Sequence, residues 1–217
     1  ALPRANAGQL ARDLYLGLLE LAGEFNVALA GGDTNTWEGG LVISVTALGQ
    51  VTDQGPLRRD GGRPGDWILV TGSFGGSILG KHFDFEPRVR EALLLHQRYE
   101  LHAGIDVSDG LSLDLARLAT ESQCGAEITI AQLPIDDSAR RLSAQSEKTP
   151  VEHALTDGED FELVLAAPAH AAKKILADQP LAVPVTCIGR LTANEGLWQE
   201  TADGSTQPLA ARGYEHE

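Results

Sequence analysis

Two aspartates stand three positions apart in the segment Ile105-Asp106-Val107-Ser108-Asp109-Gly110, where an apolar strand is predicted to end and a helix to begin. Ser108 or Asp109 can cap that helix, but capping does not account for Asp106. The N-terminus of a helix attracts phosphate, and carboxylates beside it would repel that phosphate unless hard cations such as Mg²⁺ lie between them. From these residues alone, a metal–nucleotide site and a simple helix cap both stay open.

A second acidic motif is Asp157-Gly158-Glu159-Asp160-Phe161-Glu162, which places four acids in six positions just before a predicted strand. Runs of like charge are typical of solvated loops. The alternative is an acidic cluster that orders a metal or a cationic substrate. The pattern does not choose between them.

A third carboxylate, Asp33, follows two glycines in Gly31-Gly32-Asp33-Thr34. Glycines allow a ligand to approach the backbone closely, so a binding role and a plain acidic turn are both compatible with the motif.

A phosphate-loop pattern occurs in Gly75-Gly76-Ser77-Ile78-Leu79-Gly80-Lys81-His82, which fits G-x-x-x-x-G-K. In a true phosphate loop a Ser or Thr follows the Lys, because its hydroxyl binds Mg²⁺. His82 stands there instead, so we predict that this segment is not a phosphate loop.

The composition narrows the class of protein. The chain has 217 residues, with 17 basic against 31 acidic side chains and a net charge of −14. Such acidity argues against a nucleic-acid binder and predicts that phosphate ligands arrive with cations. We find no apolar run long enough to span a membrane. The separated cysteines, Cys124 and Cys187, fit free thiols in a reducing cytoplasm.

Hydrophobic periodicity predicts an α+β (mixed α/β) protein, with a mixed sheet and helices on one face. A stretch rich in Gly, Pro and Arg, residues 52–65, is predicted to link two units, and Asp203-Gly204 predicts a hairpin turn. The predicted strands are residues 27–30, 41–51, 67–71, 103–107, 128–130, 162–166 and 185–189. The predicted helices begin after Asn6 and at residues 87, 111, 136 and 169.

Taken together and in this order, the motifs resemble the thiamine-monophosphate kinase family, in the ATP-binding superfamily of aminoimidazole ribonucleotide synthetase. The resemblance runs along nearly the whole chain. Its pieces are Gly31-Gly32-Asp33-Thr34, Arg59 within residues 57–66, Val70-Thr71-Gly72, Pro87-Arg88, residues 105–111, residues 155–163, Cys187-Ile188-Gly189 and Gly213-Tyr214.

The resemblance implies transfer of the γ-phosphate of ATP to thiamine monophosphate, with Mg²⁺ and without a protein nucleophile. It implies three groups of site residues. The metal ligands are Asp33, Asp106 and Asp109; the ATP contacts are Arg59 and Ser108; the thiamine monophosphate contacts are Glu159 and Tyr214.

The resemblance also implies a domain organisation. Residues 1–51 are expected to be the C-terminal part of an N-terminal ATP-binding domain, and residues 52–217 a C-terminal α+β domain. The sequence contains no Met, so we expect that a start was removed or that the chain begins inside a longer protein. A cytoplasmic homodimer that pairs through the N-terminal domain is expected, and the chain alone is expected to be a weak or inactive kinase.

One departure from the family pattern is Gly76, where the family usually has Asp. Two alternatives to the kinase stay open. One is a sibling ATP-using synthetase of the hydrogenase-maturation, selenophosphate or purine-pathway type, and the other is a non-catalytic nucleotide-binding remnant. Glu159 together with Tyr214 favours the kinase.

Overall fold

A computed structural model describes residues 1–201 and 204–215. The chain divides into two compact units, Ala1–Gln50 and Val51–Glu217. Within the described residues, no helix combines the length and apolarity needed to cross a lipid bilayer.

The first unit is built around one long helix. Helix α1 (Ala7–Glu24) lies with two short strands that pair in parallel, β1 (Leu2–Pro3) and β2 (Thr36–Trp37). The strands predicted at residues 27–30 and 41–51 are not formed, so those predictions are wrong. Both segments have strand-forming composition, but an extended segment becomes a strand only when another backbone satisfies its N–H and C=O groups.

The second unit is organised by a seven-stranded sheet of order β4-β6-β3-β7-β5-β8-β9. Every neighbouring pair is antiparallel except β5 and β8, which are parallel. The sheet is therefore mixed, which confirms the predicted fold class. The strands are β3 (Trp67–Thr71), β4 (Ala103–Asp106), β5 (Gly125–Thr129), β6 (Leu163–Ala167), β7 (Val185–Thr192), β8 (Gly196–Glu200) and β9 (Thr206–Pro208).

Helices fill the connections between these strands. They are α2 (Val89–Arg98), α3 (Leu111–Glu121), α4 (Asp137–Ser143), α5 (Pro150–Thr156) and α6 (Ala169–Asp178). Strands β8 and β9 pair as predicted for a hairpin, but Asp203 of the predicted Asp203-Gly204 turn lies outside the described residues.

Helices cover both faces of the sheet, so the prediction of helices on one face is wrong. The central strand β3 shows why. Ile68 and Val70 join a core cluster that includes α3 and α5, whereas Leu69 joins another that includes α2 and α6. Neighbouring strand residues point to opposite faces, and a strand buried on both faces reads as a continuous apolar run without alternation.

The predicted linker packs against the sheet. The Gly104 N–H of the edge strand β4 donates to the Arg58 carbonyl at 3.0 Å. The Gly62 N–H donates to Ser122 Oγ at the end of α3, also at 3.0 Å. These bonds hold the linker, and with it Arg59, against β4 and α3.

Leu115 of α3 tests this core, because its side chain is fully buried. Leu115→Ala leaves a cavity, so we expect the free energy of unfolding to fall by about 2–5 kcal/mol. The matched control is Leu93→Ala on α2, where the same substitution removes an exposed side chain and costs less than about 1 kcal/mol. Urea denaturation followed by circular dichroism measures both. Equal losses in the two variants would contradict the assignment of α3 to the core.

Candidate functional site

Two of the motifs come together in the second unit, one at the end of β4 and the other before β6. We call residues 106–110 the aspartate loop and residues 157–162 the acidic segment. The N–H of Glu159 donates to the carbonyl of Ser108 at 2.7 Å. Two motifs fifty residues apart in sequence therefore form one surface.

The C-terminal tail adds a third segment to this surface. The N–H of Tyr214 donates to the carbonyl of Asp109 at 2.8 Å, and Ser112 Oγ donates to the carbonyl of Arg212 at 2.7 Å. The side chain of Tyr214 stays exposed. The structure thus brings Ser108 and Asp109 together with Glu159 and Tyr214. We call the aspartate loop, the acidic segment and the tail at residues 212–214 together the loop cluster.

Glycines permit the close approach of these segments. A Cβ at Gly213 would lie 2.2 Å from the carbonyl oxygen of Asp109. A Cβ at Gly158, where φ is +72°, would lie 2.8 Å from the carbonyl oxygen of Ser108. Any larger residue at either position would push the segments of the loop cluster apart.

The four acids of the acidic segment have different environments. Asp157, Asp160 and Glu162 turn inward, and only Glu159 is exposed. Asp160 accepts the Gly75 N–H at 2.9 Å, and Asp157 accepts the Gly76 N–H at 3.0 Å. Neither a fully solvated loop nor a four-acid ligand cluster describes this segment, because three of its acids are bonded internally and one faces outward.

Burial raises the pKa of Asp160 to about 7, an effect that the Gly75 N–H and Lys81 only partly oppose. Asp157 has a further partner in His153, whose Nδ1 lies 2.8 Å from its Oδ2. The two carboxylates hold the loop after β3 by its backbone, so their role is structural.

Glu162 is the centre of a buried ion-pair network that sequence reasoning missed. Arg88 donates to both of its carboxylate oxygens at 2.8 and 2.9 Å, and the Thr71 hydroxyl donates at 2.8 Å. Burial raises the pKa of Glu162, but Arg88, Lys81 and Thr71 more than offset that effect, so the pKa lies below its ordinary value of 4.5. The strand that follows, Leu163–Ala167, is an uninterrupted apolar run and gives no sign of this network.

The segment that fits the phosphate-loop pattern forms two short 3₁₀ helices, Ser77–Leu79 and Lys81–Phe83. Lys81 Nζ donates to the Ser73 carbonyl at 3.1 Å and to Glu162 at 3.2 Å. A phosphate loop needs that lysine free for the nucleotide, so this segment has another role. A Cβ at Gly76, where φ is +78°, would meet the α4 backbone at 2.5 Å, which explains why this chain has no Asp there.

Asp114 is an acidic residue that belongs to none of the motifs recognised in the sequence. It lies in the first turn of α3 with its side chain buried, and its Oδ2 accepts the N–H groups of residues 108, 109 and 110. Burial raises its pKa above 3.8, while the Asp109 N–H and Arg117 lower it. The backbone N–H groups of residues 108–110 are therefore already hydrogen-bonded to Asp114 and are not free to bind phosphate.

Arg59 and Asp106 line one cleft of about 530 Å³ beside the edge strand β4. The cleft also contains the ion-paired Arg58 and Asp60. Arg59 further lines a neighbouring cleft of about 420 Å³ together with Arg117. Six of the seven predicted site residues thus lie in the loop cluster or the clefts beside it.

Asp33 belongs to the first unit. It is exposed, and its carboxylate accepts a hydrogen bond from Asn35 Nδ2 at 2.7 Å. Its part in a shared site stays a prediction.

The donor set suits Mg²⁺ in type. Across the described part of the chain, no three His, Cys, Asp or Glu side chains are grouped as a metal centre. Mg²⁺ in phosphate-transfer sites needs only one or two carboxylates, because substrate phosphates and water complete its octahedron. Asp106 is exposed, and Asp109, 19% exposed, is ion-paired with Arg117. These two oxygen donors fit such a site.

Comparison with known proteins identifies the class. Residues 63–197 match the family model of the AIR synthase related protein, C-terminal domain. The strands β3 to β7, the aspartate loop and the acidic segment all lie within this match, so this part of the chain is an AIR synthase-related C-terminal domain.

The whole chain is 45% identical to the thiamine-monophosphate kinase of Rhodopirellula baltica, covering 100% of this chain and 67% of that protein. The chain belongs to the thiamine-monophosphate kinase family, as its motifs predict, and the members named are phosphotransferases. It spans about two thirds of the length of such relatives.

Solved structures agree on the fold. The crystal structure of thiamine-monophosphate kinase from Stenotrophomonas maltophilia K279a has a TM-score of 0.71 at 32% identity, covering 87% of this chain and 65% of that one. A structure of AaThiL complexed with AMPPCP and TMP has a TM-score of 0.72 at 24% identity, covering 100% and 71%.

Asp160 gives a test by pH. Its pKa of about 7 in the folded protein exceeds the ordinary 3.8, so the folded state binds more protons than the unfolded state between pH 4 and 7. The contribution of Asp160 to the free energy of unfolding therefore falls as the pH rises through this range, by about 1.4 kcal/mol per pH unit.

Asp160→Asn keeps an acceptor for Gly75 and cannot ionise. We therefore expect the free energy of unfolding of the variant to change with a more positive slope than that of the wild type as the pH rises from 4 to 7. Urea denaturation at a series of pH values measures it. Asp137→Asn is the control, because Asp137 is almost fully exposed. An unchanged pH dependence in Asp160→Asn would show that Asp160 ionises normally.

Proposed function

We propose that this chain takes part in the ATP- and Mg²⁺-dependent phosphorylation of thiamine monophosphate to thiamine diphosphate. The observation that carries the proposal is 45% identity, over every residue of the chain, to a relative named thiamine-monophosphate kinase. The loop cluster supports it, because it gathers side chains suited to a cation and to two anionic substrates.

The reaction is a direct phosphoryl transfer. A phosphate oxygen of thiamine monophosphate forms a bond to the γ-phosphorus of ATP, the bond from that phosphorus to the β–γ bridging oxygen breaks, and ADP leaves. Such a transfer depends on alignment and charge neutralisation, without a protein nucleophile.

The nucleotide side of the site uses the aspartate loop. Asp106 and Asp109 would hold Mg²⁺, which supplies charge neutralisation at the phosphates when bound. Ser108 lies between them in sequence, and Arg59 lines the cleft that also contains Asp106. A guanidinium binds phosphate oxygens in a fixed geometry, so Arg59 would orient the ATP.

The acceptor side uses the exposed side chains of the loop cluster. Glu159 offers a carboxylate to the thiazolium cation of thiamine monophosphate. Tyr214, 61% exposed, offers an aromatic face for a cation–π contact. These two side chains would hold the acceptor beside Asp109.

The first unit supplies the remaining predicted ligand, Asp33. Residues 1–51 would be the C-terminal part of an N-terminal ATP-binding domain, residues 52–217 the C-terminal domain, and the complete enzyme a cytoplasmic homodimer that pairs through the N-terminal domain. Because the chain spans 67% of its relative, we propose that it is a weak or inactive kinase by itself.

A melting experiment tests the proposal. Mg²⁺ with ATP is expected to raise the melting temperature of this chain, and thiamine monophosphate is expected to raise it further. A shift with the nucleotide alone would favour a nucleotide-binding remnant, and no shift with either ligand would contradict the proposed binding. ADP release measured on the same samples tests the activity, and robust formation of thiamine diphosphate would refute the proposal that this chain is inactive alone.

Asp106→Asn tests the metal site. In the described part of the chain the Asp106 side chain makes no hydrogen bond or ion pair, so the change should leave the fold intact. We expect affinity for ATP in the presence of Mg²⁺ to fall at least about tenfold, because a metal ligand is lost. Isothermal titration calorimetry measures it, with Asp137→Asn as the exposed control.

Asp109→Asn is a less clean second variant, because it also breaks the ion pair with Arg117. ATP affinity unchanged in both variants would contradict the metal site and leave Asp109 only its ion pair with Arg117, because the N-cap of α3 is Gly110 and no side chain caps the helix.

A further inference from the structure

Asp114 makes more contacts to the aspartate loop than any role in its own helix requires. Its side chain is fully buried. A single oxygen, Oδ2, accepts the N–H of Ser108 at 3.0 Å, of Asp109 at 2.9 Å and of Gly110 at 3.2 Å. Three successive peptide groups are thus oriented by one atom.

The second oxygen of Asp114 reaches the Asp109 side chain through Arg117. Oδ1 accepts a hydrogen bond from Arg117 Nη1 at 2.7 Å, and the same nitrogen donates to the carboxylate of Asp109. Asp114 therefore fixes the backbone of the loop directly and one of its carboxylates through a shared guanidinium.

We propose that Asp114 is a positioning residue for nucleotide binding, acting through Ser108 and Asp109; this rests on the proposed function of the loop cluster. Asp114 touches no reacting atom. Its carboxylate holds the peptide groups of residues 108–110, and the position of the Ser108 and Asp109 side chains follows from the position of these peptide groups.

The same contacts decide how phosphate meets the loop. Successive N–H groups that converge form a concavity that binds anions. In this chain the Asp114 carboxylate occupies that concavity, so a nucleotide phosphate is excluded from the backbone donors of residues 108–110. The phosphates must instead contact the loop through its outward side chains and the cations these hold.

Asp114→Ala removes the acceptor while leaving a helix-forming residue. We expect the amides of residues 108–110 to exchange hydrogen at least about tenfold faster, because their hydrogen bonds are lost, and affinity for ATP with Mg²⁺ to fall in parallel. Hydrogen exchange and isothermal titration calorimetry measure the two effects. Added formate, a carboxylate small enough for the vacated space, is expected to restore both in Asp114→Ala and to leave the wild type unchanged.

Asp66→Ala is the matched control. Asp66 is also a buried aspartate that accepts a backbone N–H, from Arg63 at 2.8 Å, and contacts a basic side chain, His102. The Asp66→Ala variant is expected to have a lower melting temperature. Its amides at residues 108–110 should exchange at the wild-type rate, and formate should not change its affinity for ATP. A purely structural role for Asp114 would speed exchange at residues 108–110 in Asp114→Ala but leave its affinity for ATP with Mg²⁺ at the wild-type value.

The outcomes separate this inference from the proposed function. If the wild-type chain does not bind ATP with Mg²⁺, the proposed nucleotide site fails and the inference fails with it. If the wild type binds and Asp114→Ala binds equally well, only the inference is overturned. Should Asp114→Ala not fold, Asp114→Ser replaces it, because the shorter hydroxyl side chain lacks the carboxylate that accepts the three N–H groups. Faster loop exchange with weaker ATP binding supports the inference, and wild-type ATP affinity overturns it.

Discussion

The site depends on Glu162, a buried carboxylate whose charge must be matched by cationic partners. Arg88 and Lys81 supply that match. Arg88 stands at the start of α2, Thr71 at the end of β3 and Lys81 in the second 3₁₀ helix. The network therefore joins these three segments to the start of the strand β6. The carbonyl of Glu162 also accepts the Val107 N–H at 2.8 Å, so one residue anchors the aspartate loop by its backbone and the surrounding chain by its side chain.

Acidic residues in this protein serve opposite purposes according to their depth. Asp114, Asp160 and Glu162 are buried and bind donors of the chain itself, and they keep the loops of the cluster in place. Asp106 and Glu159 are exposed, and the proposed function assigns them to ligands. A net charge of −14 thus combines buried structural carboxylates with exposed ones, and composition alone cannot separate them.

Much of the second unit could be predicted from the sequence. The strand at residues 67–71 and the helix after Gly110 follow from the hydrophobic pattern. The joining of the two acidic motifs in one pattern comes only from the family resemblance. The two-sided packing could also have been predicted, because Ile68, Leu69 and Val70 form a continuous apolar run, which is the pattern of a strand buried on both faces. Asp114 could not be predicted, since an acid in the first turn of a helix is usually a solvent-exposed partner of the helix dipole. The strands expected in the first unit fail for a related reason: strand propensity describes a segment, whereas a strand requires a partner.

The tail at Gly213 has a practical consequence for handling the protein. Because Gly213 lies against the Asp109 carbonyl with no room for a side chain, residues 212–214 form part of the wall of the loop cluster. An affinity tag or a fusion partner joined there would disturb the hydrogen bond from the Tyr214 N–H to the Asp109 carbonyl. Purification handles for biochemical work on this chain therefore belong at its other end.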